Sequence, residues 1–293
     1  MVLLLVLVVT FSCTKISYSS YSPSIPSDKA QRFQPVIDVL LSKGVDSHFV
    51  FSLVAAERTV FNEKYVKINV TGYLTSTDYT QFYNDQSIDK TKLFLDKYKE
   101  PLEKAEQKYG VPKEVIASVL WIETRHGSYL GNNHIPSVYL STALTSQNEF
   151  VELNIIEMDS KFKGTQKERN ALVEKIKARS KKKSAWAIGE IIALEKIQKR
   201  FPIPIDSIYG SWAGAFGISQ FLPSSYKAWA VDGNGDNIVN LFDYDDAIHS
   251  VGNYLKSNGW GDSEEARRKA VYHYNNSRAY VDAVLTLAEL AKK

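Results

Sequence analysis

Apolar positions recur along most of this chain at three- and four-residue spacing, the period of a helix face turned towards a core. The run "VPKEVIASVLWIE" shows it most clearly. Val115, Ile116, Val119 and Leu120 form one stripe, and at 100° per residue Glu123 falls in its centre. Pro112 opens this helix in its first turn. A carboxylate in the middle of a face that must be buried needs an explanation.

The same periodicity places helices at "KAQRFQPVIDVLLSKG" and "DSHFVFSLVAAE", each ending near a break. "KYVKINVTGYLTSTDYTQFYNDQS" is rich in β-branched and aromatic residues and reads as a short strand or an extended loop. "DKTKLFLDKYKEPLEKAEQKYG" predicts a helix of about 20 residues, interrupted or kinked near Pro101 and closed at Gly110. From Asn148 to Phe201 the pattern is strongly helical and lysine-rich, including Lys181, Lys182 and Lys183. It reads as a solvated helical pair rather than a groove for an acidic polymer. Short helices and loops follow, at "SSYKAWAV", "DYDDAIHSVGNYLKSNGW", "SEEARRKAVYHYN" and "SRAYVDAVLTLAELAKK". No internal repeat is present, and the class is mainly α, or α+β with a small sheet.

Composition adds bounds. The 293 residues are 44% hydrophobic and 24% charged, enough for one large domain or two modest ones. A net charge of +3 is too small to argue for nucleic acid. Cys13 is the only cysteine, so no intramolecular disulfide forms. It follows "MVLLLVLVVTFS", an apolar run too short to span a bilayer but suited to a signal-peptide core over residues 1–12. Thr10-Phe11-Ser12-Cys13 resembles a bacterial lipoprotein cleavage box, which makes Cys13 the expected lipidation site and 13–27, rich in Ser, Tyr and Pro, a tether. A plain secretory signal is the alternative. The lipoprotein reading places the protein in the cell envelope, membrane-anchored and facing the periplasm.

Three readings of Glu123 stand on position alone: a buried ion pair with Arg125 or a lysine, a helix-end residue leaning into solvent, or a catalytic acid. In the last case desolvation raises its pKa and leaves it able to donate a proton near neutral pH. Two other stretches bear on the choice. "GSWAGAFGISQFLPSSY", Gly210 to Tyr226, is dense in small residues that let a ligand or another segment approach the backbone. "HYNNS" places Tyr274 beside Asn275 at a helix end.

Taken in order, "GVPKEVIASVLWIETRHGSYLGNNHI", "GSWAGAFGISQFLPSSYKAWAVDGNGDNIVNLFDYDDAIHSVGNYLKSNGW" and "YHYNNS" resemble the membrane-bound lytic murein transglycosylase B family, from about Tyr98 onward. The resemblance implies a lysozyme-like helical core over 28–293, made of about 98–147 and 205–293 with a helical lysine-rich insertion at about 148–204. It implies cleavage of the β-1,4 bond between N-acetylmuramic acid and N-acetylglucosamine in peptidoglycan, leaving 1,6-anhydromuramoyl ends. Glu123 is then the single catalytic acid and base, and Ser211, Gln220, Tyr274, Asn275 and Tyr280 contact the glutamate or line the sugar subsites. Tyr79 is left unassigned. The segment "TSQNEFVELN" lacks the arginine pair that the family tends to carry there. A hydrolytic muramidase and a non-catalytic glycan-binding lipoprotein are the rival readings.

"DGNGDNIVNLFDYDD" resembles a calcium loop. Asp232, Asn234 and Asp236 take its first, third and fifth positions, and Ile238 offers a carbonyl at the seventh. Asn237 replaces the usual glycine. By the family pattern Asp246 is the late ligand, and Asp243 is free to cap the next helix. Bound Ca2+ is expected to stabilise the fold, with no cofactor needed for catalysis. The alternative is an Asx-rich turn held by its own hydrogen bonds. His126 reads as a packing or solvent-facing residue, and His249 and His273 lack metal-set spacing. The expected partners are glycan strands and a membrane, on a monomer.

Overall fold

The computed structural model describes residues 24–72 and 79–293. Cys13, the signal segment 1–12 and most of the tether lie outside the described residues. Among the described residues no helix is long and apolar enough to cross a membrane.

The fold is built around a nearly fully buried helix, α6 (Lys113–Thr124), whose residues 115–122 are all buried. Four helices surround it: α4 (Asp85–Lys97), α5 (Lys99–Tyr109), α11 (Tyr244–Ser257) and α13 (Arg278–Ala291). The expected 20-residue helix is therefore two. The break falls at Tyr98, whose ring stacks on Tyr244 at 4.4 Å and sits 4.7 Å from Phe94. Pro101 lies in the first turn of α5, where its missing N–H is harmless. Gly110, at φ +67°, closes α5 as expected.

A second layer holds α1 (Ser27–Ser42), α2 (Ser47–Ala55), α3 (Glu63–Thr71), α7 (Ile135–Ala143), α8 (Asn148–Asp159) and the long α9 (Gln166–Ile197). The segment read as strand or loop begins with α3. Asn62 caps it by accepting from Lys64 N, and Tyr65, Val66, Asn69 and Val70 form a buried stripe. Burial of that stripe outweighs the weak helix preference of β-branched residues. Helix α9 opens with a capping box between Thr165 and Glu168. Its Lys181 and Lys182 are solvated, while Lys183 lies half-buried over the Trp186 ring at 4.2 Å. Its second half joins the main core through Ile188, Ile191, Leu194 and Ile197. There the buried Glu190 accepts hydrogen bonds from Ser224 N and Oγ, at 2.9 and 2.8 Å.

The small sheet pairs β1 (Asn133–His134) with β2 (Tyr209–Gly210), antiparallel, with Asn133 opposite Gly210. It fastens the loop after α6 to the loop leading into α10 (Pro223–Trp229). Helix α12 (Glu264–Tyr274) and α13 complete the chain.

Candidate active site

Glu123 occupies the last turn of α6, with Tyr280 of α13, Tyr274 of α12 and Tyr79 beside it. The residue is half-buried. Its Oε1 accepts a 2.6 Å hydrogen bond from the Tyr280 hydroxyl, donated from 157 residues further along the chain. Tyr280 itself is buried at 1% exposure. It lies in the first turn of α13, where Ser277 caps the helix by accepting from Tyr280 N. The cap and the buried face of Val281, Val284 and Leu287 together aim the phenol at the carboxyl.

Aromatic rings wall the niche. Tyr274 lies parallel to Tyr280 with centroids 6.4 Å apart, and its hydroxyl donates to Ser219 O. Tyr79 meets Tyr280 edge-on at 5.7 Å and is hydrogen-bonded to Asn275. These rings displace water from the carboxyl, although part of the residue stays accessible. Desolvation raises the Glu123 pKa to about 7, against the opposing effect of the Tyr280 hydrogen bond. Among the described residues no other carboxylate influences it. Burial pushes Tyr274 and Tyr280 well above the usual phenol range, and the nearby Glu123 charge adds to the effect. Both therefore remain hydrogen-bond donors.

The glycine-rich stretch braces the end of α6. Thr124 Oγ1 donates to Ile218 O at 2.9 Å and accepts from Gly127 N at 2.9 Å. A Cβ at Gly214 would lie 2.4 Å from the Tyr139 ring, whose hydroxyl donates to Gly214 O at 2.9 Å. A Cβ at Gly131 would lie 2.2 Å from Gly210 O. Close approach here is thus by the chain's own segments.

The expected site residues divide into two groups. Glu123, Tyr274, Asn275 and Tyr280 come together, with Tyr79 as an additional wall. Ser211 and Gln220 bond to the loop that carries them or to its neighbour. Ser211 Oγ accepts from Ala215 N at 3.1 Å, and Gln220 Nε2 donates to Gly217 O at 2.9 Å and Leu130 O at 3.2 Å. Gln220, at φ +49°, joins the residue 130 segment to the motif loop. His126 is buried as packing. It stacks on Phe94 at 3.9 Å, bonds Ala117 O through Nε2, and burial lowers its pKa to about 4.

In the loop at 232–246, Asp232 accepts from Gly235 N and Asn237 N at 2.6 and 2.8 Å. Asn234 and Asp236 make Asx turns to Asp236 N and Ile238 N. The buried Asp246 accepts from Gly233 N at 2.7 Å and Asn240 N at 2.5 Å, and Asp243 caps α11. Asn237 takes φ +67° at the turn where a glycine was missing. Among the described residues no three His, Cys, Asp or Glu side chains form a metal cluster. The expected set is mixed, however, since an amide and a backbone carbonyl stand beside the carboxylates. Oxygen-only donors of this kind suit a hard cation.

A mainly helical core with one small two-stranded sheet is the lysozyme-like lytic-transglycosylase fold. Residues 48–271 match the family model of the transglycosylase SLT domain, and the chain belongs to that family. It is 31% identical over 180 residues to membrane-bound lytic murein transglycosylase B of Escherichia coli, a match covering 61% of this chain and 40% of that protein. The chain thus spans less than half the length of that relative. Two solved structures share the fold. The Escherichia coli lytic transglycosylase Slt35 in complex with calcium has TM-score 0.66 and 22% identity, covering 89% of this chain and 92% of that one. SltB3 of Pseudomonas aeruginosa in complex with NAG-NAM-pentapeptide has TM-score 0.65 and 18% identity, covering 90% and 79%.

The raised pKa has a stability consequence. Between the ordinary value of 4.5 and about 7 the folded chain binds a proton at Glu123 that the unfolded chain has released. Stability contributed by this group is therefore full below the ordinary value and is lost as pH rises through about 7. Glu123→Gln removes that loss. Urea unfolding is expected to find the variant more stable than the parent at pH 8, by on the order of 1–3 kcal/mol, with a smaller gap at pH 5. An equal gap at both pH values would refute the desolvated carboxyl.

Proposed function

We propose that this protein is a lytic transglycosylase that cleaves the β-1,4 bond between N-acetylmuramic acid and N-acetylglucosamine in peptidoglycan. The observation that carries the reading is one desolvated carboxyl, with pKa raised to about 7, walled by tyrosines and with no second acid among the described residues influencing it. Family membership and the murein transglycosylase relative support it. Direct displacement by a glycosidase requires two carboxylates, whereas substrate assistance requires one.

Protonated Glu123 donates its proton to the glycosidic oxygen as the C1–O bond breaks, and the N-acetylglucosamine part leaves as an alcohol. The substrate's own acetamido oxygen stabilises the cation at C1. Glu123, now ionised, removes the proton from the C6 hydroxyl, whose oxygen attacks C1 and closes the 1,6-anhydro ring. No water is consumed and Glu123 ends protonated. Tyr280 holds the carboxyl in place through both transfers, and Tyr79, Tyr274 and Asn275 flank the sugar. Ser211 and Gln220 are proposed to reach the sugar acetamido groups from the motif loop.

Glu123→Gln is expected to lower the rate of sacculus solubilisation at least about 10³-fold. Products of the parent protein should carry anhydromuramoyl ends by mass spectrometry. Reducing ends in their place would identify a hydrolase, and a variant as active as the parent would remove Glu123 from the chemistry.

Asp232, Asn234, Asp236, the Ile238 carbonyl and Asp246 are proposed to hold a structural Ca2+, which would neutralise their crowded oxygens. Millimolar calcium is expected to raise the midpoint of thermal unfolding and a chelator to lower it, with the response abolished by Asp232→Asn. No response in the parent would leave the loop as a self-bonded Asx turn.

Cys13 is proposed to carry the lipid that tethers the enzyme in the cell envelope. In cell fractionation Cys13→Ala should move the protein from the membrane to the soluble fraction. Retention on the membrane would exclude the anchor.

A further inference from the structure

Directly after Glu123 the backbone does something costly. Arg125 and His126 both take left-handed conformations, at φ +53° and +54°, a region where glycine is at ease and larger residues are strained. Arg125 is the C-cap of α6, its N–H bonded to Trp121 O at 2.8 Å. Its side chain explains why glycine does not stand there. The guanidinium lies 4.3 Å from the centre of the Phe82 ring and 4.7 Å from that of Trp121. Burial lowers its pKa, and among the described residues the two rings are the groups its guanidinium faces. The buried-ion-pair alternative for Glu123 also fails here, because Arg125 engages the rings.

Phe82 is no isolated contact. It ends the short turn Thr80–Phe82, and its ring lies 5.6 Å from that of Tyr79. Tyr79 in turn abuts Tyr280, which donates to Glu123. A continuous series of contacts therefore runs from Arg125 through Phe82, Tyr79 and Tyr280 back to the carboxyl two residues before its start. We propose that Arg125 is a positioning residue that clamps the 79–82 segment onto the catalytic helix, keeping the Tyr79 wall closed over Glu123. This deepens the proposed function and rests on Glu123 being the acid.

Among the described residues the titratable groups facing Glu123 are Tyr280 on α13, Tyr274 on α12 and Tyr79 on the clamped segment. Each is a phenol pushed above its usual range, so none ionises near neutrality. The alkaline limb of activity then reports Glu123 and how dry its surroundings are. Opening the Tyr79 wall lets water back and moves that limb to lower pH.

The experiment measures pH–rate profiles on purified glycan strands, and thermal unfolding, for the parent, Arg125→Gly, Arg125→Lys and Phe82→Leu. Arg125→Gly relieves the left-handed strain while removing the clamp, which separates stability from function. The expected result is an unfolding midpoint no lower than the parent's, an alkaline limb at least about one pH unit lower, and kcat at pH 7 reduced about tenfold. Phe82→Leu should move the limb the same way, and Arg125→Lys should restore part of it. An unchanged limb in Arg125→Gly and Phe82→Leu overturns the clamp even if Glu123→Gln is inactive. An active Glu123→Gln overturns the catalytic reading itself.

Discussion

The structure turns on a carboxyl group that the fold makes reluctant to ionise. Water is removed from Glu123 by rings contributed from three distant segments, and a single phenol hydroxyl reaches its oxygen. Desolvation alone would also favour a misplaced rotamer, since a free carboxyl gains by turning to solvent. The Tyr280 hydrogen bond opposes this, even though it partly stabilises the charged form. Position and proton affinity are thus set by different groups, and the second effect outweighs the first in the net shift.

Much of the scaffold exists to hold that arrangement rigid. Helix α6 is covered by four helices, so its last turn cannot shift without disturbing the whole core. The glycine-rich loop locks against Thr124 from the other side, and the two-residue sheet pins the strand entering that loop. The lysine-rich α9 joins the same support. Its charged first half is solvated, while its second half lies under α10 and holds Ser224 through the buried Glu190. A helix that looks like a surface appendage by charge is, over half its length, part of the main core.

The sequence disclosed the parts of this that are local. The centre of an apolar stripe marked Glu123, because helical periodicity converts position into facing. Gly110 and the cap at Asp243 mark helix ends by short-range chemistry. Helix α3 escaped the same reading, since Val66, Ile68 and Val70 speak for a strand until α7 and α8 are there to cover them. The break at Tyr98 was placed at Pro101 because proline is conspicuous and an aromatic stack is not. The meeting of Tyr79 with Tyr280 spans most of the chain, and no periodicity encodes it. Tyr280 entered only through family resemblance, while the Tyr274–Asn275 pair at a helix end carried little weight without it. Nothing in spacing pointed to Arg125 as more than an ion-pair candidate, because its partners are rings without charge.

The connection between α12 and α13 sets the two parallel tyrosines. Only residues 275–277 separate the last turn of one helix from the first turn of the next, and two of the three have a duty: Asn275 reaches Tyr79, and Ser277 caps α13. Such a joint is governed by length more than by composition. Many exchanges of side chain elsewhere on these helices would leave Tyr274 and Tyr280 facing each other. Dropping one residue from the joint would drag both helix ends out of alignment, and adding one would let them drift. The cleft is therefore more exposed to insertion and deletion here than to substitution, which makes this short elbow the poorest place in the molecule to graft a tag or open the chain.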